Sequence, residues 1–216
     1  MTPDDNQSPR ITVTENGPYI VEGHVTIRNA RGEDVTEGTE AWLCRCGHST
    51  TKPFCSDMHK KVGFVGTEVA SRDLMADRRE EYHGEGITIF DDRSRCSHAG
   101  HCTDGLPVVW KLNEEPWIDA KAGSVDQIVA TIRECPSGAL TYALPGGHET
   151  VEEAMEPSIS AAPDGPYRVR GGIQVFSHDG QPYERRNRQT LCRCGQSKNK
   201  PFCDGSHWYA GFKDPA

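Results

Sequence analysis

The chain has 216 residues, nine of them cysteine, and a formal net charge of −8 at pH 7. That charge argues against nucleic acid as a partner, and no apolar run approaches the roughly 18 residues of a membrane span. Leu, Ile, Val and Phe together number only 37 of the 216 residues, a thin supply for a charged chain, so bound metal is expected to provide part of the folding free energy.

The opening MTPDDNQSPR is acidic, contains proline and leads into no apolar segment. Residues 1–16 are therefore expected to be a disordered N-terminus without a secretory or transit signal, which implies a cytoplasmic protein. In that reducing compartment nine cysteines, an odd number, are expected to bind metal rather than to pair as disulfides.

Residues 17–66 form the first module. Tyr19, Val21, Val25 and Ile27 alternate as in a strand, a turn follows at Gly32, and Leu43 leads into a loop carrying Cys44, Cys46, Cys55 and His59. Pro53-Phe54 precedes the third cysteine. Ser56 is placed to cap a helix with His59 in its first turn. Residues 67–83, mostly charged, are expected to be a linker.

Residues 84–145 read as a different unit. GITIF (86–90) is a short strand, and Cys96 and Cys102 occupy the loop after it. Pro107 to Leu112 and Pro116 to Asp119 look like the arms of a hairpin, with Trp110 and Trp117 as cross-strand packing partners. Ser124 and Gln127 make a capping-box signature, and Val125, Ile128, Val129 and Ile132 give the apolar stripe of one helix. That helix delivers Cys135, and a closing strand follows from Ala139 to Leu144.

Residues 146–164 combine Pro, Gly and acidic side chains and read as a second linker. Residues 165–216 then repeat the first module at a constant offset of 148: Tyr167, Val169, Ile173 and Val175 for the strand, Gly180 for the turn, and Cys192, Cys194, Cys203 and His207 for the loop, with Asp204 at the capping position. From 17 to 64, 19 of 48 positions are identical to their counterparts. Arg45 and Arg193 each lie between the two cysteines of a Cys-x-Cys, where they either tune the charge of the site or stand on the surface.

All nine cysteines thus fall into three groups of three, two of which carry a histidine. Three Cys and one His is an adequate tetrahedral zinc set. The four ligands lie within sixteen residues, however, whereas typical zinc modules spread theirs as two separated pairs.

Cys203-Asp204-Gly205-Ser206-His207 resembles the motif that names the CDGSH iron-sulfur proteins of the mitoNEET type. The first copy departs from it as Cys55-Ser56-Asp57-Met58-His59, with all four ligands kept. The resemblance implies one 2Fe-2S cluster per end module, with the Cys-x-Cys pair on one iron and the later Cys and His on the other. It also implies that two such modules pair about a twofold axis, here within one chain. With one histidine such a cluster is one unit less negative than an all-cysteine site and easier to reduce.

The middle unit, with its CPSGAL ending, resembles a divergent single-cluster bacterial ferredoxin domain. Such domains carry C-x2-C-x2-C, and here the central cysteine is Ala99. Cys96, Cys102 and Cys135 can hold a 3Fe-4S cluster. They can equally hold a 4Fe-4S cluster, should His98, His101 or a small exogenous ligand take the fourth corner.

The expected fold class is α+β: two small β-rich CDGSH modules in pseudo-twofold relation plus a ferredoxin-like module. The leading function is electron transfer, without an enzyme active site, since no nucleophile-base pair, phosphate loop or flavin fingerprint is present. A cluster donor or a redox and pH sensor is the alternative, and a zinc-stabilised interaction module the third. Residues 67–147 carry 14 acidic and 8 basic side chains, which suits a basic redox partner protein. An apo-acceptor protein is the partner under the alternative.

Overall fold

The structure, a computed structural model, describes residues 8–147, 152 and 154–214. It divides into two compact units, Met1–Arg72 with Ala154–Ala216, and Asp73–Glu153. The first half of the chain contributes strands β1 (Arg10–Val13), β2 (Tyr19–Glu22), β3 (Thr26–Arg28) and β4 (Glu40–Leu43), then helix α1 (Met58–Lys61). The middle adds β5 (Glu80–Gly84), β6 (Ile87–Asp91), α2 (His101–Gly105), α3 (Val125–Arg133) and β7 (Leu140–Ala143). Last come β8 (Ser158–Ala161), β9 (Tyr167–Arg170), β10 (Gln174–Phe176), β11 (Arg188–Leu191) and α4 (Ser206–Tyr209).

Strands β8 to β11 and helix α4 reproduce β1 to β4 and α1 at the offset of 148 residues. The duplication therefore begins earlier than the identities at Gly17 suggest. Arg10–Val13, expected to be part of a disordered tail, is strand β1, and Ser158–Ala161, expected to be linker, is strand β8. Residues 1–7, 148–151 and 153 lie outside the described residues.

The repeats exchange a strand. One sheet runs β10-β1-β2-β4 and the other β11-β9-β8-β3, so each contains three strands of one repeat and one of the other. The borrowed strands pair in parallel, Ile11 opposite Val175 and Ile27 opposite Ile159. Alternation puts Ile11, Val13, Tyr19, Val21, Ile159, Tyr167 and Val169 into one shared core. Neither repeat closes that core alone.

The first part of the stretch expected as a linker at 67–83, up to Arg72, is ordered against the second repeat. Val69 and Ala70 donate their amides to the Lys200 carbonyl at 2.9 and 3.0 Å. Glu68 accepts hydrogen bonds from the Tyr183 hydroxyl and from the His178 backbone amide. The end of the stretch, from Glu80, is already strand β5.

In the second unit β5, β6 and β7 form an antiparallel sheet covered by α3. The Ser124–Gln127 capping box is formed as expected, and Ile128 and Ile132 face the core with Trp110 and Ile89. The expected hairpin is reduced to a single bridge, Trp110 opposite Ile118. Pro107 and Pro116 cannot donate to a ladder, and Asn113 between the arms has φ 62.

Candidate metal centres

Each end module presents its ligands as two pairs. Cys44 Sγ and Cys46 Sγ are 3.8 Å apart, as are Cys192 Sγ and Cys194 Sγ. Two sulfurs bound to one tetrahedral metal at about 2.3 Å stand about 3.8 Å apart. His59 Nδ1 is 3.4 Å from Cys55 Sγ, and His207 Nδ1 is 3.4 Å from Cys203 Sγ, close to the roughly 3.5 Å that one sulfur and one imidazole nitrogen on a shared metal require. The residues fit a metal at each pair.

The four donors of a module do not converge on one point. Among the described residues, the group of three or more metal-ligating side chains whose donor atoms all lie within 4.8 Å of one another is Cys55, Asp57 and His59. A single tetrahedral ion would have drawn Cys44, Cys46, Cys55 and His59 into one such group.

Backbone amides converge on the sulfurs. His48 N and Gln196 N point at Cys46 Sγ and Cys194 Sγ at 3.5 and 3.4 Å, and Asp57 N and Gly205 N at Cys55 Sγ and Cys203 Sγ at 3.4 and 3.5 Å. These donors stabilise thiolate. Within each Cys-x-Cys pair one thiol is pulled down and its neighbour pushed up, because the neighbour's S–H donates to the first sulfur. Two adjacent thiolates need a cation between them.

The ligand loops of the two repeats are packed against each other. A Cβ on Gly47 would lie 2.7 Å from the Cys194 carbonyl oxygen, and one on Gly195 2.7 Å from that of Cys46. At this approach only glycine fits. Tyr19 donates its hydroxyl to the carbonyls of Cys192 and Pro201, and Tyr167 reciprocates to Cys44 and Pro53, at 2.8 to 3.0 Å. Each module's tyrosine thus holds the other module's ligand loop. Tyr19→Phe is expected to cost about 1–3 kcal/mol by removing the one proton that the Cys192 and Pro201 carbonyls share, leaving Pro201 only the Cys192 amide as donor. Its absorbance loss on heating should fall on the C-terminal centre, which variants of either histidine identify.

The helix that carries each histidine is not capped as expected. Its first flanking residue is Gly205 in the second copy and Asp57 in the first, both left-handed, at φ 83 and 59. Asp204 accepts hydrogen bonds from the amides of Lys198 and Ser206, and Ser56 accepts one from that of Thr50. Asp57 lies 3.9 Å from His59 Nε2, within 4.8 Å of the Cys55 sulfur as well, and pairs with Lys60 at 2.9 Å. Arg45 and Arg193 are both 1% exposed, which overturns their reading as surface residues.

In the middle unit burial raises the Cys96 thiol and pushes that of Cys102 up to about 11, with the Cys135 charge adding to both. The charge of Cys135 thus reaches both other thiols. The Ser97 hydroxyl beside Cys96 is buried with no partner among the described residues, as fits a donor facing an acceptor such as a cluster sulfide. His98 is exposed at φ 52. His101 opens α2 and lines a cavity of about 590 Å³ with Ala99, Asp104, Thr131 and Glu134. The position of the missing cysteine thus opens on a cavity.

Residues 16–60 and 164–208 match the family described as iron-binding zinc finger, CDGSH type, and residues 82–145 match the one described as divergent 4Fe-4S mono-cluster. The chain is 38% identical over 61 residues to the uncharacterized protein YjdI of Escherichia coli strain K12, covering 28% of this chain and 80% of that protein, and it matches YjdI of Escherichia coli O157:H7 to the same extent. No helix among the described residues is long and apolar enough to cross a membrane.

Proposed function

We propose that this chain, which belongs to the CDGSH-type iron-binding family and carries a divergent 4Fe-4S mono-cluster domain between its two CDGSH modules, is an intracellular electron-transfer protein. The observation that carries this reading is the division of each end module's ligands into two metal-sized pairs that do not close into one tetrahedron. That arrangement suits two irons bridged by sulfide, and it disfavours a single structural zinc.

Bound clusters supply one-electron couples. The chain's own residues hold them by Cys44, Cys46, Cys55 and His59, by Cys192, Cys194, Cys203 and His207, and by Cys96, Cys102 and Cys135. The amides directed at sulfur favour added negative charge, and the close approach of Gly47 and Gly195 to the opposite loop holds the two ligand loops against each other. A 2Fe-2S cluster at each end and a 3Fe-4S or 4Fe-4S cluster in the middle complete the reading. The acidic excess of residues 67–147 favours a basic redox partner.

A cluster donor is the second reading, favoured by the partial exposure of Cys55 and His59. Repeated cycles of reduction by dithionite and reoxidation by ferricyanide in air-free buffer separate the two. Electron transfer requires full recovery of the visible spectrum with no iron released, and release of iron or delivery of a cluster to an apo-ferredoxin on the first cycle would support the donor instead.

A further inference from the structure

We infer that the two end centres are unequal electron sites, the N-terminal one being reduced at the higher potential, so that a single electron given to the pair by an external donor resides there. This rests on the iron-sulfur reading above. The ligand sets are identical, so any difference must come from the surrounding charge and solvent. Three observations point the same way.

The buried arginines are the first. Arg45 Nε and Nη2 donate to the carbonyls of Gly17 and Thr14, and Arg193 Nε and Nη2 to those of Gly165 and Ala162. Each guanidinium also lies near a tyrosine and a phenylalanine of its own repeat, Tyr19 and Phe64 or Tyr167 and Phe212. The third nitrogen breaks the symmetry. Arg193 Nη1 forms an ion pair with Asp214, whose side chain is 2% exposed, whereas Arg45 Nη1 has no hydrogen-bond partner among the described residues. At the offset of 148 the counterpart of Asp214 is Gly66. A Cβ there would lie 1.9 Å from Arg45 Nη2, so the first repeat has no room for the carboxylate. A buried positive charge flanked in sequence by two N-terminal ligands has no ion-pair partner among the described residues, and in a low dielectric it favours an added electron.

Second, Asp204 places a half-buried carboxylate directly beside Cys203, where the first copy has the neutral Ser56. Third, Cys203 and His207 are only 2% and 4% exposed, while Cys55 is partly exposed and the His59 side chain is 11% exposed. Reduction adds a negative charge, which burial disfavours. The exposed differences do not reverse this balance: Asp57, Lys60 and Lys61 in one copy and Lys198 in the other each sum to one positive charge, and salt screens them.

An EPR-monitored redox titration of the intact protein tests the inference. Two separate steps are expected for the 2Fe-2S signals. His207→Cys should move only the lower one, and Asp214→Asn should raise that lower step by at least the equivalent of tenfold in electron partition, about 59 mV for a one-electron couple. Should Asp214→Asn fail to fold, Asp204→Asn must shift the same step in the same direction. One common step in the wild type, or movement of the upper step in His207→Cys, would overturn the inference. A protein lacking acid-labile sulfide overturns the iron-sulfur reading itself, an outcome distinct from equal potentials.

Discussion

Replacing both His59 and His207 by cysteine is expected to keep the end centres coloured through an acidification that bleaches the wild-type protein. Nδ1 of each histidine faces its cysteine sulfur at 3.4 Å, and it can bind a metal only while it carries no proton. Acidification therefore sets protons in competition with the metal for that nitrogen. A bound thiolate resists protonation far better. The double variant should therefore lose its 2Fe-2S absorbance at least about tenfold more slowly at pH 5, while its potentials fall through the added negative charge. In the wild type the N-terminal centre should bleach first, because Cys55 and His59 are partly exposed and Cys203 and His207 are not. Equal decay of the variant and the wild type, under conditions where the wild type does decay, would show that histidine is not the weak ligand.

Ala99→Cys is expected to change the cluster type of the middle site. Ala99 occupies the position whose thiolate would complete a four-cysteine set with Cys96, Cys102 and Cys135, and it borders an open cavity rather than a packed core, so the larger side chain can be accommodated. As isolated, the wild type should show the signal of an oxidised 3Fe-4S centre at about g = 2. The variant should lose most of that signal and gain a reducible 4Fe-4S centre. A wild type that is already 4Fe-4S, and a variant unchanged from it, would instead mean that His98, His101 or an exogenous ligand fills the corner. Replacing each histidine by alanine distinguishes those cases.

The duplication and the ligand pairs of the end modules were legible because the spacing between these residues is the same in both repeats. The capping box at Ser124 was legible for a similar reason, as a local pattern with a local cause. Strands β1 and β8 were not. RITV and SISA share only isoleucine, and each becomes a strand through partners far away in sequence, including the exchanged neighbours β10 and β3. No local pattern encodes a parallel pairing between repeats.

The burial of Arg45 and Arg193 was equally hidden, since arginine is ordinarily exposed. A signal did exist: the same arginine recurs between the same two cysteines, 28 residues after Gly17 and Gly165, whose carbonyls receive it. The contrast between Gly66 and Asp214 falls just beyond the last identity, Phe64 with Phe212, and acquires meaning only once the guanidinium is seen to lie beside it. Asp57 was visible as a departure from the motif, but the left-handed turn that it shares with Gly205 was not.

Iron, zinc and acid-labile sulfide measured together on anaerobically purified protein test the central claim most directly. Two 2Fe-2S centres and one cuboidal centre predict about seven or eight irons and about eight sulfides per chain, with little zinc. Stoichiometric zinc with no acid-labile sulfide would contradict the account.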